Sequence, residues 1–281
     1  MSGIGPRERL GLQLRQRRVL AGLSGPELAR AIGITQSKLS RTETAKFRPD
    51  LEVVRRWLDA TGTGGDDRDR ILALAEEAAT QIAEYRTLFR RTLLTKQRSL
   101  LAQQDEAGRI RHFQPFQIPG PMQTPRYARL AMLSTQLQQA GVEEAVAARM
   151  ERGRRLRAPG APWFHAIVTE PALRYRFWGA SDQDQADCWR NILEFCQVPT
   201  AVVQVIPDGA AYHQPPMCAF VITEFRDPAA AAIVQVELPA VEMTFSGTDD
   251  LEAYERTWNA MADAALDPEA SAKLLRGMLK G

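Results

Sequence analysis

Leu23-Ser-Gly-Pro-Glu-Leu-Ala-Arg-Ala-Ile-Gly-Ile-Thr-Gln-Ser-Lys-Leu-Ser-Arg-Thr-Glu43 reads as two short helices joined by a tight turn. Ser24 followed by Glu27 is a capping box, which satisfies free backbone N–H groups at a helix start. Leu28, Ala29 and Ile32 then fall on one face at helical spacing. Gly33 supplies the turn, because glycine takes a positive φ without steric cost. Thr35 caps the second helix, which opens with Gln36, Ser37 and Lys38, buries Leu39, and continues through Ser40 and Arg41. Small Ala29 suits a close approach of two helix backbones. A helix with an exposed polar N-terminal half fits the major groove of DNA.

The flanks extend this pair into a bundle. Arg7 to Ala21 reads as a first helix with Leu10, Leu14 and Val19 facing inward. Asp50 is an N-cap for a fourth helix carrying Leu51, Val54, Trp57 and Leu58, ended by Gly62 and Gly64-Gly65. With the start of the next segment this makes about five helices. Residues 1–60 hold 12 Lys/Arg against 6 Asp/Glu, whereas the whole chain of 281 residues is only +2. A basic head on a mildly acidic body suits a polyanion-binding module attached to a protein-facing one.

On Glu27-Leu28-Ala29 with Gly33, on Gln36 to Arg41, and on Glu43 with Arg48-Pro49, residues 7–60 resemble the Xre, or phage-repressor-like, helix-turn-helix family. The resemblance implies base readout by Gln36, Ser37, Lys38 and Arg41, with Gln36 toward an adenine and Lys38 or Arg41 toward a guanine. The alternative is that two of the four reach bases and the others touch phosphate, since phosphate contacts usually outnumber base contacts. Ser40, Thr44, Lys46 and Arg48 are the phosphate candidates; a solvated basic loop is the other reading of Lys46 and Arg48. Arg18 and Glu43 match positions that form an internal ion pair in related heads. Gly25-Pro26 stands where the family often has an amide-bearing residue, which removes one DNA contact.

From Asp66 to Ala107 there is no Gly and no Pro, and Ile71, Leu74, Ala78, Ile82, Tyr85 and Phe89 recur at helical intervals. This predicts one long helix or two joined helices. Pro115 and Pro119-Gly120-Pro121 then break the chain. Thr124-Pro125 caps a helix running to Leu133, and another spans residues 142–157. After Pro162 the pattern changes. Strands are expected at residues 163–168, 200–206, 217–225, 232–238 and 241–245. Helices are expected at residues 171–178, 181–196, 249–265 and 268–279. The fold class is α+β: an all-α helix-turn-helix bundle over 1–75, a helical linker over 76–110, and an α+β regulatory, partner-binding and dimerisation domain over 111–281. Short spacings between the late strands favour a mainly antiparallel sheet, covered on one side by helices.

The body also resembles a known set of proteins. Glu106-Ala107 with Ile110-Arg111, Phe113 to Gly120, Met122 to Ala128, Arg149 to Arg152, Glu170 to Arg174, Val203 to Pro207 and Phe220 to Phe225 carry the likeness. They are similar to a domain of unknown function that follows an Xre-type head in actinobacterial regulators. The likeness implies an antitoxin-like regulator paired with a small partner protein. Pro121 and Gly153 depart from the pattern, which has an apolar residue and a Gln there.

Little points to catalysis. Glu170, Asp182, Asp184 and Asp187 sit near helix starts, where carboxylates cap and favour the dipole. His112, His165 and His213 are dispersed and fit no metal spacing, and there is no Walker loop or dinucleotide fingerprint. Cys188, Cys196 and Cys218 form no CxxC pair and read as buried thiols. No enzyme activity, cofactor or metal is expected. Arg149, Arg152 and Arg155 mark a candidate partner surface, against the alternative of a solvated helix face. Trp178 and Trp189 read as core aromatics or as a pocket wall. The chain shows no apolar membrane span and no signal-like N-terminus, so a cytoplasmic protein is expected. The reading is a dimeric, sequence-specific transcriptional regulator, probing double-stranded DNA at a near-palindromic operator and taking its signal from a small partner protein. A small-molecule-sensing body is the first alternative. A protein-interaction adaptor without DNA readout is the second.

Overall fold

The computed structural model describes residues 5–79, 81–84, 93–134, 141–213, 215, 217–238 and 241–280. They form two compact units. The first runs through Ile82 and also takes in Asp227–Ile233 and Met243–Leu251; the second holds the remainder. Among the described residues no helix is long and apolar enough to cross a membrane.

The first unit is built on α1 (Pro6–Leu20), α2 (Gly25–Ile32), α3 (Gln36–Glu43), α4 (Leu51–Ala60) and α5 (Gly65–Ala79). The expected caps are in place. The Ser24 hydroxyl accepts from the Glu27 amide, and the Glu27 carboxylate accepts from the Ser24 amide at 2.8 Å. Gly33 ends α2 in the left-handed region at φ 73°. Thr35 and Asp50 cap α3 and α4. Leu10, Leu14, Leu28, Ile32, Leu39, Val54, Trp57 and Leu58 are buried together with Ile71 from α5. Each such side chain contributes about 1.5–3 kcal/mol relative to exposure. The Trp57 indole N–H is satisfied inside this core by the Leu14 carbonyl at 3.1 Å. Val19 departs from the expectation: it is 60% exposed, because the last turn of α1 runs past the core. Chain far downstream completes the unit, for Ala229 joins the core and Ala230 bridges Pro49 in antiparallel fashion.

One long helix or two joined helices were expected over 66–107; among the described residues of that span two helices are present, and a strand not expected from the sequence lies between them. α5 stops at Ala79, β1 occupies Gln81–Glu84, and α6 spans Leu93–Glu106. Tyr85 and Phe89 lie outside the described residues. Helix propensity and the absence of Gly and Pro are weak constraints, and recruitment of β1 into a sheet overrides them.

Among the described residues the sheet has seven strands, in the order β1-β7-β6-β5-β2-β3-β4. They are β2 (Ala107–Gln114), β3 (Trp163–Thr169), β4 (Ala201–Ile206), β5 (Phe220–Phe225), β6 (Ile233–Glu237) and β7 (Val241–Phe245), with β1 at one edge. The sheet is mainly antiparallel with parallel pairs. β2 lies antiparallel to β5 and parallel to β3, and β3 is parallel to β4. These parallel pairs are possible because helical crossovers join their strands. α7 (Pro125–Leu133) and α8 (Val142–Leu156) connect β2 to β3; α9 (Glu170–Arg174) and α10 (Asp182–Phe195) connect β3 to β4. α9 ends at Arg174, earlier than the expected helix through Trp178. α11 (Thr248–Ala264) and α12 (Pro268–Met278) close the chain.

Both faces of the sheet carry helices, where one covered face was expected. On one face Ile110, Phe164, Ala166, Val203 and Val205 pack with Ile192 and Phe195 of α10 and Leu275 of α12. On the other, His165 meets Trp258 of α11 edge-on at 4.9 Å and Phe220 meets Tyr254 at 5.1 Å. Buried Arg111 forms ion pairs with Glu224 and Glu255 on that second face. Pro121 and Gly153, the two departures from the family pattern, are in contact. A Cβ at position 153 would collide with the Pro121 carbonyl, so the glycine is what admits that loop against α8.

Candidate nucleic-acid interface

Helix α3 is held by its inner face and presents its outer one. Leu39 and Thr42 are buried, and the Thr42 hydroxyl donates to the Lys38 carbonyl at 2.9 Å. Gln36, Ser37, Ser40, Arg41 and Thr44 are exposed. The spacing explains this, since residues three and four apart share a helix face. The outer face therefore offers an amide, three hydroxyls and a guanidinium, the donors and acceptors that base edges can meet. The Arg41 guanidinium lies over the Phe47 ring, 5.4 Å from its centre, which steadies the cation without consuming it.

Two devices position α3. Arg18 grips Glu43 with a two-pronged pair, Nε to Oε1 at 2.6 Å and Nη2 to Oε2 at 3.0 Å. Its third donor reaches the Leu23 carbonyl at 3.0 Å. Bonding to Glu43 raises the pKa of Arg18 against the opposing effect of burial. The second device escaped the sequence reading. Gly11 of α1 faces α3 so closely that a Cβ there would lie 2.7 Å from the Glu43 carbonyl oxygen. A glycine among good helix formers costs about 1 kcal/mol relative to alanine, so this packing role was the signal available.

The other expected contacts are placed unequally. Lys38 is half-buried and ion-paired to Asp227. Burial pushes the Asp227 carboxyl up, but the bond from Lys38, the Ala229 amide at 3.0 Å, and the charges of Lys38 and Arg41 outweigh it and hold the pKa below its ordinary value. Asp227 has no local sequence signature. Lys46 is exposed in the loop after α3, whereas Arg48 is partly buried. Burial and then the charge of Arg7 bring Arg48 down to about 10, so it stays cationic at neutral pH. The Thr44 hydroxyl donates to the Ser40 carbonyl at 2.9 Å.

The candidate partner surface divides. Arg155 lies outward and pairs with Glu151 and Asp105. Arg149 and Arg152 turn inward and line a cavity within the second unit. Trp178 is 98% exposed and is neither core nor pocket wall; Trp189 donates its indole N–H to the Leu173 carbonyl at 2.9 Å. Cys188 is buried, with Thr124 Oγ1 at 3.4 Å from its sulfur, and burial pushes its thiol pKa up. Among the described residues no group of side chains is arranged to hold a metal ion.

Two family models match the chain. Residues 9–71 match a helix-turn-helix domain, and residues 97–277 match the domain of unknown function DUF5753. No curated protein matches the chain. A solved structure of TrmBL2, titled as an archaeal chromatin protein with a novel mode of DNA binding, aligns over 93% of this chain and 99% of its own. It is 10% identical with a TM-score of 0.31, a likeness too loose to carry an argument about fold or function. The DUF5753 match covers more than half of the chain, and the chain belongs to that family, with a helix-turn-helix head.

Proposed function

We propose that this chain is a sequence-specific, DNA-binding transcriptional regulator of Xre type, without catalytic activity, that acts as a dimer on a near-palindromic operator. The observation that carries the reading is the outer face of α3, where Gln36, Ser37, Ser40 and Arg41 stand exposed on a helix locked from behind by Arg18 and Glu43. Gln36 and Arg41 reach base edges, Ser37 adapts, and Lys38 joins them on release from Asp227. Ser40, Thr44, Lys46 and Arg48 supply backbone contacts, which set register rather than sequence. One such head covers little DNA. Specific affinity therefore needs two half-sites about one helical turn, ~34 Å, apart. The body dimerises the protein and receives a signal from a small partner protein, as in antitoxin-like regulators. A second reading, a small-molecule-sensing body, is favoured by the cavity beside Arg149 and Arg152.

The test is binding of the full-length protein to fragments of its own upstream DNA across a salt series. Affinity well above that for random DNA, with log K falling by about 0.9 per phosphate contact for each tenfold rise in salt, supports the reading. Equal weak binding to all fragments, unchanged by Gln36→Ala with Arg41→Ala, would overturn it in favour of an adaptor that does not read DNA.

A further inference from the structure

Helix α8 carries two arginines into the interior of the second unit. Arg149 and Arg152 border a cavity of about 180 Å³ between α6, α8 and the β2-β5-β6 face of the sheet. The Nε atom of each is shut off from solvent and meets no acceptor among the described residues. What holds each guanidinium is a neutral amide. Arg149 Nη1 donates to Gln123 Oε1 at 2.7 Å, and Arg152 Nη1 donates to Gln97 Oε1 at 3.2 Å. Gln123 is itself fixed by donating to the Ile118 carbonyl at 2.7 Å.

No described carboxylate forms an ion pair with either arginine. Glu237 and Glu242 reach the cavity, but both pair with Lys96, at 2.8 and 3.3 Å. Among the described residues the lining thus carries one cation more than it has carboxylates, with His112 kept neutral by burial and by the charge of Arg152. Burial lowers Arg149 to about 10; burial and then the neighbouring Arg149 lower Arg152 to about 9. Both remain charged at neutral pH. Glu237 acts on both arginines only through its charge and not by direct contact. A largely shielded cation without a carboxylate in contact is costly, and leaving its donors unpaired adds to that cost. Guanidinium groups pair best with planar carboxylates and with phosphates.

We propose that this cavity binds a small carboxylate- or phosphate-bearing metabolite, whose anionic group pairs with the cavity-facing ends of the Arg149 and Arg152 guanidinium groups while Gln114 and Gln235 face its polar remainder. The space is below the ~300–1,000 Å³ of pockets that hold drug-sized ligands, which limits the ligand to a compact one. The site lies wholly within the second unit.

Thermal melting and calorimetric titration of the full-length chain with sodium acetate or sodium phosphate, against sodium chloride at equal ionic strength, test this. Bound anion is expected to raise the melting temperature of the second unit by roughly 3–5 °C for each tenfold excess over Kd. Whichever anion acts identifies the head group as carboxylate or phosphate. Arg149→Gln and Arg152→Gln should each abolish the shift. Their own melting temperatures without anion should stay close to that of the parent protein, because neither arginine makes a direct ion pair that the substitution would break. On the unmodified protein, the anion that shifts melting should slow hydrogen exchange in residues 118–123 and 149–156. The proposal fails if neither anion shifts melting beyond the chloride control, if both variants keep the shift, or if exchange slows only elsewhere. No DNA enters these experiments, so their outcome is separate from that of the regulator reading.

Discussion

Lys38, in the first turn of α3, is ion-paired to Asp227, a residue distant in sequence that folds with the N-terminal unit. Asp227 also adds its negative charge beside Arg41. On the proposed function, the carboxylate occupies the lysine that a phosphate or a guanine would engage. Asp227→Asn should therefore strengthen operator binding, by roughly 3–10-fold at low salt, and steepen the salt dependence by about one phosphate equivalent. Fluorescence anisotropy over a salt series measures both. Unchanged affinity and slope would show that Lys38 plays no part in DNA binding.

Arg18 and Glu43 are both largely shielded from water and joined by two bonds. Breaking such a pair strands a charge, which costs about 3 kcal/mol. Arg18→Ala should lower the stability of the N-terminal unit by that order and abolish operator binding, although Arg18 lies behind the reading face. Glu43→Ala should behave alike, and the double variant should be little worse than either single one. A double-mutant cycle by urea unfolding gives the coupling directly. Additive losses would mean the pair is not a unit.

Gly11→Ala places a methyl group against the Glu43 and Thr42 carbonyls, at 2.7 and 2.8 Å. Alanine favours the helix by about 1 kcal/mol, yet overpacking at a helix crossing costs about 1–3 kcal/mol. The expected result is a net loss of stability and a fall in DNA affinity as α3 is displaced. A variant that melts higher than the parent would show that α1 and α3 can part without consequence.

His112 lines the cavity near Arg149, Arg152, Lys96, Glu237 and Glu242. Burial first, and then the charge of Arg152, hold its pKa at about 3, against 6.5 when free, with Glu237 opposing weakly. Between those values the unfolded chain binds a proton that the folded chain refuses. Stability from this group is therefore complete above pH 6.5 and is lost as pH falls toward 3, with a slope of up to about 1.4 kcal/mol per pH unit. His112→Gln should flatten that part of the curve relative to the parent. Parallel curves from urea unfolding between pH 4 and 7 would refute it.

The head was legible because its determinants are local. Ser24 with Glu27, Gly33, Thr35 and Asp50 act on backbone groups a few residues away, so they specify helix ends wherever the segment goes. The buried stripe of Leu28, Ala29, Ile32 and Leu39, and the exposed Gln36 and Arg41, follow from helical period alone. In the body, β3, β4, β6, β7 and the long helices were readable for the same reason. β2 was not, because burial on both faces and a buried Arg111 mask its alternation.

Other features depended on pairings between distant residues. The strand β1 between α5 and α6, the parallel registers of β2-β3 and β3-β4, and the helix on the second sheet face arise from such contacts. So do the seat of Asp227 on Lys38, the glycine contacts at positions 11 and 153, and the inward turn of Arg149 and Arg152. By itself the sequence determined where helices begin and end and which polar face of α3 is displayed, because those interactions span one or two turns. Only the tertiary structure decided which charges meet and which are enclosed, since that is set by chain segments the local pattern cannot bring together.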